Sequence, residues 1–195
     1  MRRSFIATVV GVVLTLMLSV PSTAGQRDET GDILDQGGGP VLVENGARLI
    51  RTSHGLSARI AMPTPEPGSY TYPTAGVAFS GAGHPEAYSL WAFVFNYPDQ
   101  CDGPCDANDL GNTPAQGGAF FVAGHLVGGP HLVLSGQVST QSAPFVAGHA
   151  PLQNPTGAEV HLAIAPHGGL DPALLPELIK TPTQPSSIWW TARFE

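Results

Sequence analysis

Five of the seven histidines, His125, His131, His149, His161 and His167, lie beyond residue 120. Imidazole titrates near neutral pH and is a common ligand for zinc and copper. Glu159 and His161 stand two apart, so on a strand both side chains project from one face. His125 precedes a glycine-rich connection, and His167 sits in Pro166-His167-Gly168-Gly169, which reads as a turn that lets it fold back. A zinc or copper set of Glu159, His161, His125 and His167 would therefore draw ligands from more than one element, as a site must. Against it, the chain has no His-x-His, His-Glu-x-x-His or paired-cysteine spacing. A hairpin between Ala119–Leu126 and His131–Val138 would pair His125 with Leu132 and turn His131 to the opposite face, so those two meet only across a bulge. The plainer reading is histidines facing solvent from strands and loops.

Other chemistries are weaker. Asp102, Asp106, Asn108 and Asp109 offer oxygens to calcium, but a calcium loop begun at Asp106 meets Leu110 at its fifth position and Gly117 at its twelfth, where a carboxylate is needed. Asx residues in such a cluster build turns by bonding their own backbone. Phe79-Ser80-Gly81 and Leu134-Ser135-Gly136 lack the full nucleophile-elbow pattern, and Ser53 and His54, as neighbours, point apart on a strand. Trp189 and Trp190 with Tyr70 and Tyr72 would suit a carbohydrate-stacking platform, although aromatics in a strand-rich chain usually fill the core. No phosphate loop, dinucleotide fingerprint or glycosidase carboxylate pair stands out. The chain leans towards a module that binds rather than catalyses, the alternative being a zinc or copper protein or a metal-dependent enzyme that uses the strand-end histidines.

What must position these residues begins with an export signal. Met1-Arg2-Arg3, the apolar run Phe5 to Val20 and Pro21-Ser22-Thr23-Ala24 follow the order of a secretory signal peptide cleaved after Ala24. The rival, an uncleaved anchor, needs about 20 apolar residues and this run falls short. The expectation is a secreted or extracytoplasmic protein that leaves the membrane once cleaved. Cys101 and Cys105 then pair as a small-loop disulfide, a redox or metal role being disfavoured because neither has a basic neighbour. Loss of Arg2 and Arg3 moves the formal charge from −7 to −9, leaving six bases against fifteen acids. No basic stripe remains to neutralise phosphates, which excludes nucleic acid as a partner. A carbohydrate or envelope component fits better.

Residues 25 to 40, acidic and glycine-rich, read as a disordered leader. The domain spans 41 to 195. Val41-Leu42-Val43 and Ala47 to Thr52 flank Asn45-Gly46, the signal of a tight hairpin, and Ser53-His54-Gly55 turns the chain into Leu56 to Met62. There Leu56, Ala58, Ile60 and Met62 alternate inward. After a proline loop come a short Tyr70-Thr71-Tyr72 and an edge strand at Gly76 to Ser80. Tyr88 to Pro98 is apolar on both faces and reads as the central strand. Ala158 to Ala165 follows with Val160, Leu162 and Ile164 inward, then a short helix from Asp171 to Ile179, capped by Asp171 and started by Pro172. Ile188 to Phe194 ends the chain. Short strands without a βαβ rhythm predict an all-β, antiparallel β-sandwich of immunoglobulin-like or jelly-roll type, with one short helix near the C-terminus.

The order of Tyr88 to Pro98, Cys101-x-x-x-Cys105-Asp106, Asp109-Leu110-Gly111, Gly124-His125-Leu126-Val127-Gly128 and Ala158-Glu159-Val160-His161-Leu162 to His167-Gly168 resembles a group of secreted bacterial proteins of unknown function. It covers roughly residues 50 to 180 and implies export without an activity. Similarity to the chordin-type CHRD domain is faint, because its Gly-Leu and Ala-His-Ile-His patterns are missing.

Overall fold

The computed structural model describes residues 26–35, 38–66, 85–170, 172–173, 179–180 and 190–195. The signal segment, Tyr70 to Tyr72, Gly76 to Ser80, Trp189 and all but the fragments of Asp171 to Ile179 lie outside the described residues. The strands are β1 (Arg27–Leu34), β2 (Val41–Thr52), β3 (Gly55–Pro63), β4 (Glu86–Phe95), β5 (Gly117–Val127), β6 (His131–Ser139), β7 (Glu159–Gly169) and β8 (Trp190–Phe194). All their ladders are antiparallel, in the order β5-β4-β7-β8-β1-β2-β3-β6.

This is one curled sheet, where the sandwich expectation had two. The sequence shows period-two burial, which is the same for a sheet facing a partner and a sheet facing itself. Two four-stranded halves, β5-β4-β7-β8 and β1-β2-β3-β6, are joined by the single pair Leu34 and Thr191. At the opposite seam β5 and β6 approach without a ladder: a Cβ on Gly136 would lie 2.1 Å from the Val122 carbonyl oxygen. The sheet thus nearly closes into a barrel. Its interior is filled by alternating residues of every strand, among them Ile33, Leu49, Ile60, Leu90, Leu134, Leu162 and Phe194.

The β4 strand is buried on both faces, as its composition requires, but it lies between β5 and β7, one place from the end of the sheet order, rather than at its centre. Tyr88, Leu90, Ala92 and Val94 face the interior; Trp91, with Ala163 and Ala165, forms an outer cluster flanked by Phe93 and Phe121. The cover over this outer face includes the β6–β7 loop, whose Phe145 ring meets Trp91 edge-on at 5.0 Å.

Three expectations change. Arg27–Leu34, read as part of a disordered leader over 25 to 40, is β1. Its inward side carries only Ile33 as buried apolar content; ion pairs replace hydrophobic burial, Asp28 with Arg48 and Glu29 with both Arg27 and Arg51. The Asn45-Gly46 signal makes a bulge in a continuous β2, because Val41 and Val43 pair with Leu34 and Ile33 of β1 instead of folding back. Asn45 is left-handed at φ 53°, and its backbone N–H donates to Asp32 Oδ1 at 2.8 Å. The Pro166 to Gly169 turn is the end of β7, fully buried. Among the described residues, two 3₁₀ turns, Pro98–Gln100 and Ala107–Asp109, stand beside the strands.

Candidate functional site

Strand polarity sorts the barrel into two ends. One collects the end of β4, the starts of β5 and β7, the β2–β3 turn and the β6–β7 loop; the other collects the β5–β6 turn, Pro63 and the starts of β4 and β8. The first holds the disulfide, which joins Cys101 to Cys105.

At that end Asn96, fully buried just past β4, ties both ends of the β4–β5 loop to the β6–β7 loop. Its Nδ2 donates to the carbonyls of Gln116 at 2.7 Å and Pro151 at 2.9 Å, and its Oδ1 accepts from the backbone N–H groups of Gln153 at 2.7 Å and Asn154 at 3.1 Å. An amide side chain has two donors and an oxygen with two lone pairs, so this hub is saturated. Gln116 is held left-handed at φ 48°, with its side-chain oxygen accepting from Gln153 Nε2 at 2.6 Å. Backbone held in a sparsely populated region by surrounding bonds is a frequent mark of functional loops. Around the hub opens a depression of about 590 Å³ lined by Tyr97, Pro98, Asp99, Gln100, Pro114 and Asn154 among others. Tyr97 is 42% exposed.

The same end is plugged from within by Arg51. Its guanidinium is fully buried, with Nε donating to Glu29 Oε2 at 2.5 Å and Nη1 to the carbonyls of Ala158 and Pro155. Its Nη2 is buried with no hydrogen-bond partner among the described residues. Leu152 of the same loop joins the core beneath.

The proposed metal residues are placed as follows. Glu159 and His161 do share a face: Oε1 and Nε2 stand 2.5 Å apart. Burial lowers the His161 pKa, and the Glu159 carboxylate opposes that shift. His167 is six residues further along β7, about 20 Å at the rise of a strand. His125 is exposed and pairs with Tyr88 near the far end of β4. The structure thus joins two of the four and does not bring His125 or His167 to them. The expected pairing of His125 with Leu132 is also replaced, since β6 pairs with β3 and His131 lies opposite Pro63. The one group of three potential ligands among the described residues is Cys101, Cys105 and Asp109, and its sulfurs are consumed by the disulfide. Asp106 and Asp109 are engaged in a capping box, the turn-building role.

Sequence reading missed a buried relay on the outer face. Trp91 Nε1 donates to Ser89 Oγ at 2.7 Å, and Ser89 Oγ lies 2.6 Å from His167 Nε2. Burial pushes the His167 pKa down to about 4. A serine beside a neutral imidazole has the form of a nucleophile and its base. Here Ser89, Trp91 and His167 are all fully buried and the serine oxygen is already held by the indole, so the contacts satisfy polar groups inside an apolar layer. The other aromatics proposed for stacking are placed in part: Trp190 is buried, with Nε1 donating to Asp35 Oδ1 at 3.2 Å.

Among the described residues no helix is long and apolar enough to cross a membrane. Compared with protein-family models, curated proteins and solved structures, the chain matches none.

Proposed function

We propose that the chain is an exported, non-catalytic binding module of the cell envelope, and that it binds through the loop end that carries the disulfide. The observation that carries this reading is the Asn96 hub: a side chain with all four hydrogen-bonding positions engaged fixes the β4–β5 and β6–β7 loops around an open, polar depression. Loops fixed before binding lose less entropy when a ligand arrives. The disulfide supports an oxidising compartment, in keeping with the signal-like N-terminus and the resemblance to secreted bacterial proteins. The test is co-sedimentation of the purified, processed protein with envelope material of the producing cells. Wild type is expected in the pellet and Tyr97→Ala in the supernatant; equal sedimentation of both would sink the assignment of this end.

A second reading, zinc or copper binding, is favoured by the Glu159 and His161 couple, already oriented by its 2.5 Å contact. Dialysis against micromolar zinc tests it. Stoichiometric metal lost on His161→Ala supports it, and metal-free protein ends it.

A further inference from the structure

Resting on the binding-module reading, we infer that the depression beside Asn96 is a subsite for a neutral saccharide. A sugar ring presents a face of C–H groups and a rim of hydroxyls, each a donor and an acceptor. Its receptor therefore needs an accessible aromatic or apolar plane beside amide and carboxylate groups that accept and donate in the same layer. The depression supplies both. Tyr97 is exposed by 42%, and Pro98 and Pro114 flank the opening as rigid apolar surfaces. Asp99 and Gln100 are exposed, and Asn154 is half-buried with its amide nitrogen donating back to the Asn96 carbonyl at 3.1 Å.

Charge selects within the polar ligands. Asp99 is the one ionisable carboxylate in the lining, no basic side chain accompanies it, and the whole chain is acidic at −7. Nucleic acid, phosphate-bearing envelope polymers and uronic-acid chains would be repelled, whereas a neutral polyol places a hydroxyl against Asp99 and gains a charge-assisted hydrogen bond. The volume of about 590 Å³ lies within the span of small-molecule sites, roughly 300 to 1,000 Å³, and its openness to solvent along the barrel end suits a polymer entering from the side more than an enclosed metabolite. Rigidity comes from residues that the ligand need not touch: the four Asn96 bonds, the Gln116–Gln153 bond and the Cys101–Cys105 bridge.

The experiment is a backbone-amide chemical-shift titration of the full processed chain with neutral hexasaccharides of glucose, mannose, galactose and N-acetylglucosamine, run with a chelator present. A polygalacturonate hexamer serves as the anionic control. At least one neutral sugar should produce saturable shifts confined to residues 96–100, 114–116 and 153–157, the anionic control should not, and Tyr97→Ala should weaken binding about tenfold or more. Because Tyr97 is exposed, its variant is expected to keep the wild-type melting temperature; Asp99→Asn provides a second variant with no packing role. Shifts centred elsewhere, or a stronger response to the anionic control, overturn the saccharide inference. If no sugar shifts these amides while envelope sedimentation still depends on Tyr97, the ligand class falls and the binding end stands. If sedimentation is also indifferent to Tyr97, both fall.

Discussion

Two buried polar residues set the chemistry of this molecule, and each makes a measurable claim. Burial takes the His167 imidazole from an ordinary pKa of 6.5 to about 4. Below pH 6.5 the unfolded chain takes up a proton that the folded chain refuses. The contribution is therefore complete above about 6.5, erodes as pH falls, and is fully lost below about 4. The difference corresponds to about 3 kcal/mol. Denaturant unfolding of wild type and His167→Gln between pH 7 and 4 should show a shallower pH slope in the variant; parallel slopes would contradict the buried neutral imidazole. Asn96→Ala removes four hydrogen bonds and strands carbonyls and N–H groups under the loops. It should cost about 2–4 kcal/mol in the same assay, since each buried polar group left unpaired carries its own penalty. The Glu159 and His161 contact was legible in the sequence because strand parity alone places them. Ser89 and His167, 78 residues apart, meet only through the β4–β7 register and the irregularity between Ala87 and Tyr88, which no local pattern encodes.

Among the elements, the doubly buried β4 and the alternating β3 and β7 were readable because apolar side chains mark their buried faces, whereas the place of β4 next to the last strand of the order was not. The β1 strand was not. Its ordering rests on ion pairs to β2, and an acidic, glycine-containing segment has the composition of a leader until those partners are in place. Arg51→Met tests that ordering. Removing the guanidinium leaves Glu29 with Arg27 alone and frees the carbonyls of Pro155 and Ala158, so a loss of about 2–4 kcal/mol is expected, with faster amide exchange over β1 and residues 155–158. Unchanged exchange in β1 would mean that its pairing does not depend on Arg51. The β5–β6 seam was equally invisible, because short strands joined by a glycine turn look like a hairpin whether or not they ladder. Gly136→Ala puts a methyl group 2.1 Å from the Val122 carbonyl and should cost about 1–3 kcal/mol by forcing the seam apart.

For the whole molecule, antiparallel all-β architecture was legible from strand length and turn chemistry, while one-sheet closure was not, since closure is a property of the edges. The nearly closed sheet leaves two unlike ends, and the β4–β5 loop, which carries Tyr97, the disulfide and the Asn96 hub, lies with the β6–β7 loop at one of them. The bridge spans a separation of four residues, for which loop-closure entropy gives about 2 kcal/mol, so Cys101→Ser with Cys105→Ser should lower the melting temperature modestly and weaken binding by loosening the loop. The most direct measurement compares envelope co-sedimentation of wild type, Tyr97→Ala at the disulfide end and Leu42→Ala, an exposed residue at the opposite end. Binding through the disulfide end predicts loss with Tyr97→Ala and retention with Leu42→Ala; retention with Tyr97→Ala and loss with Leu42→Ala would contradict it.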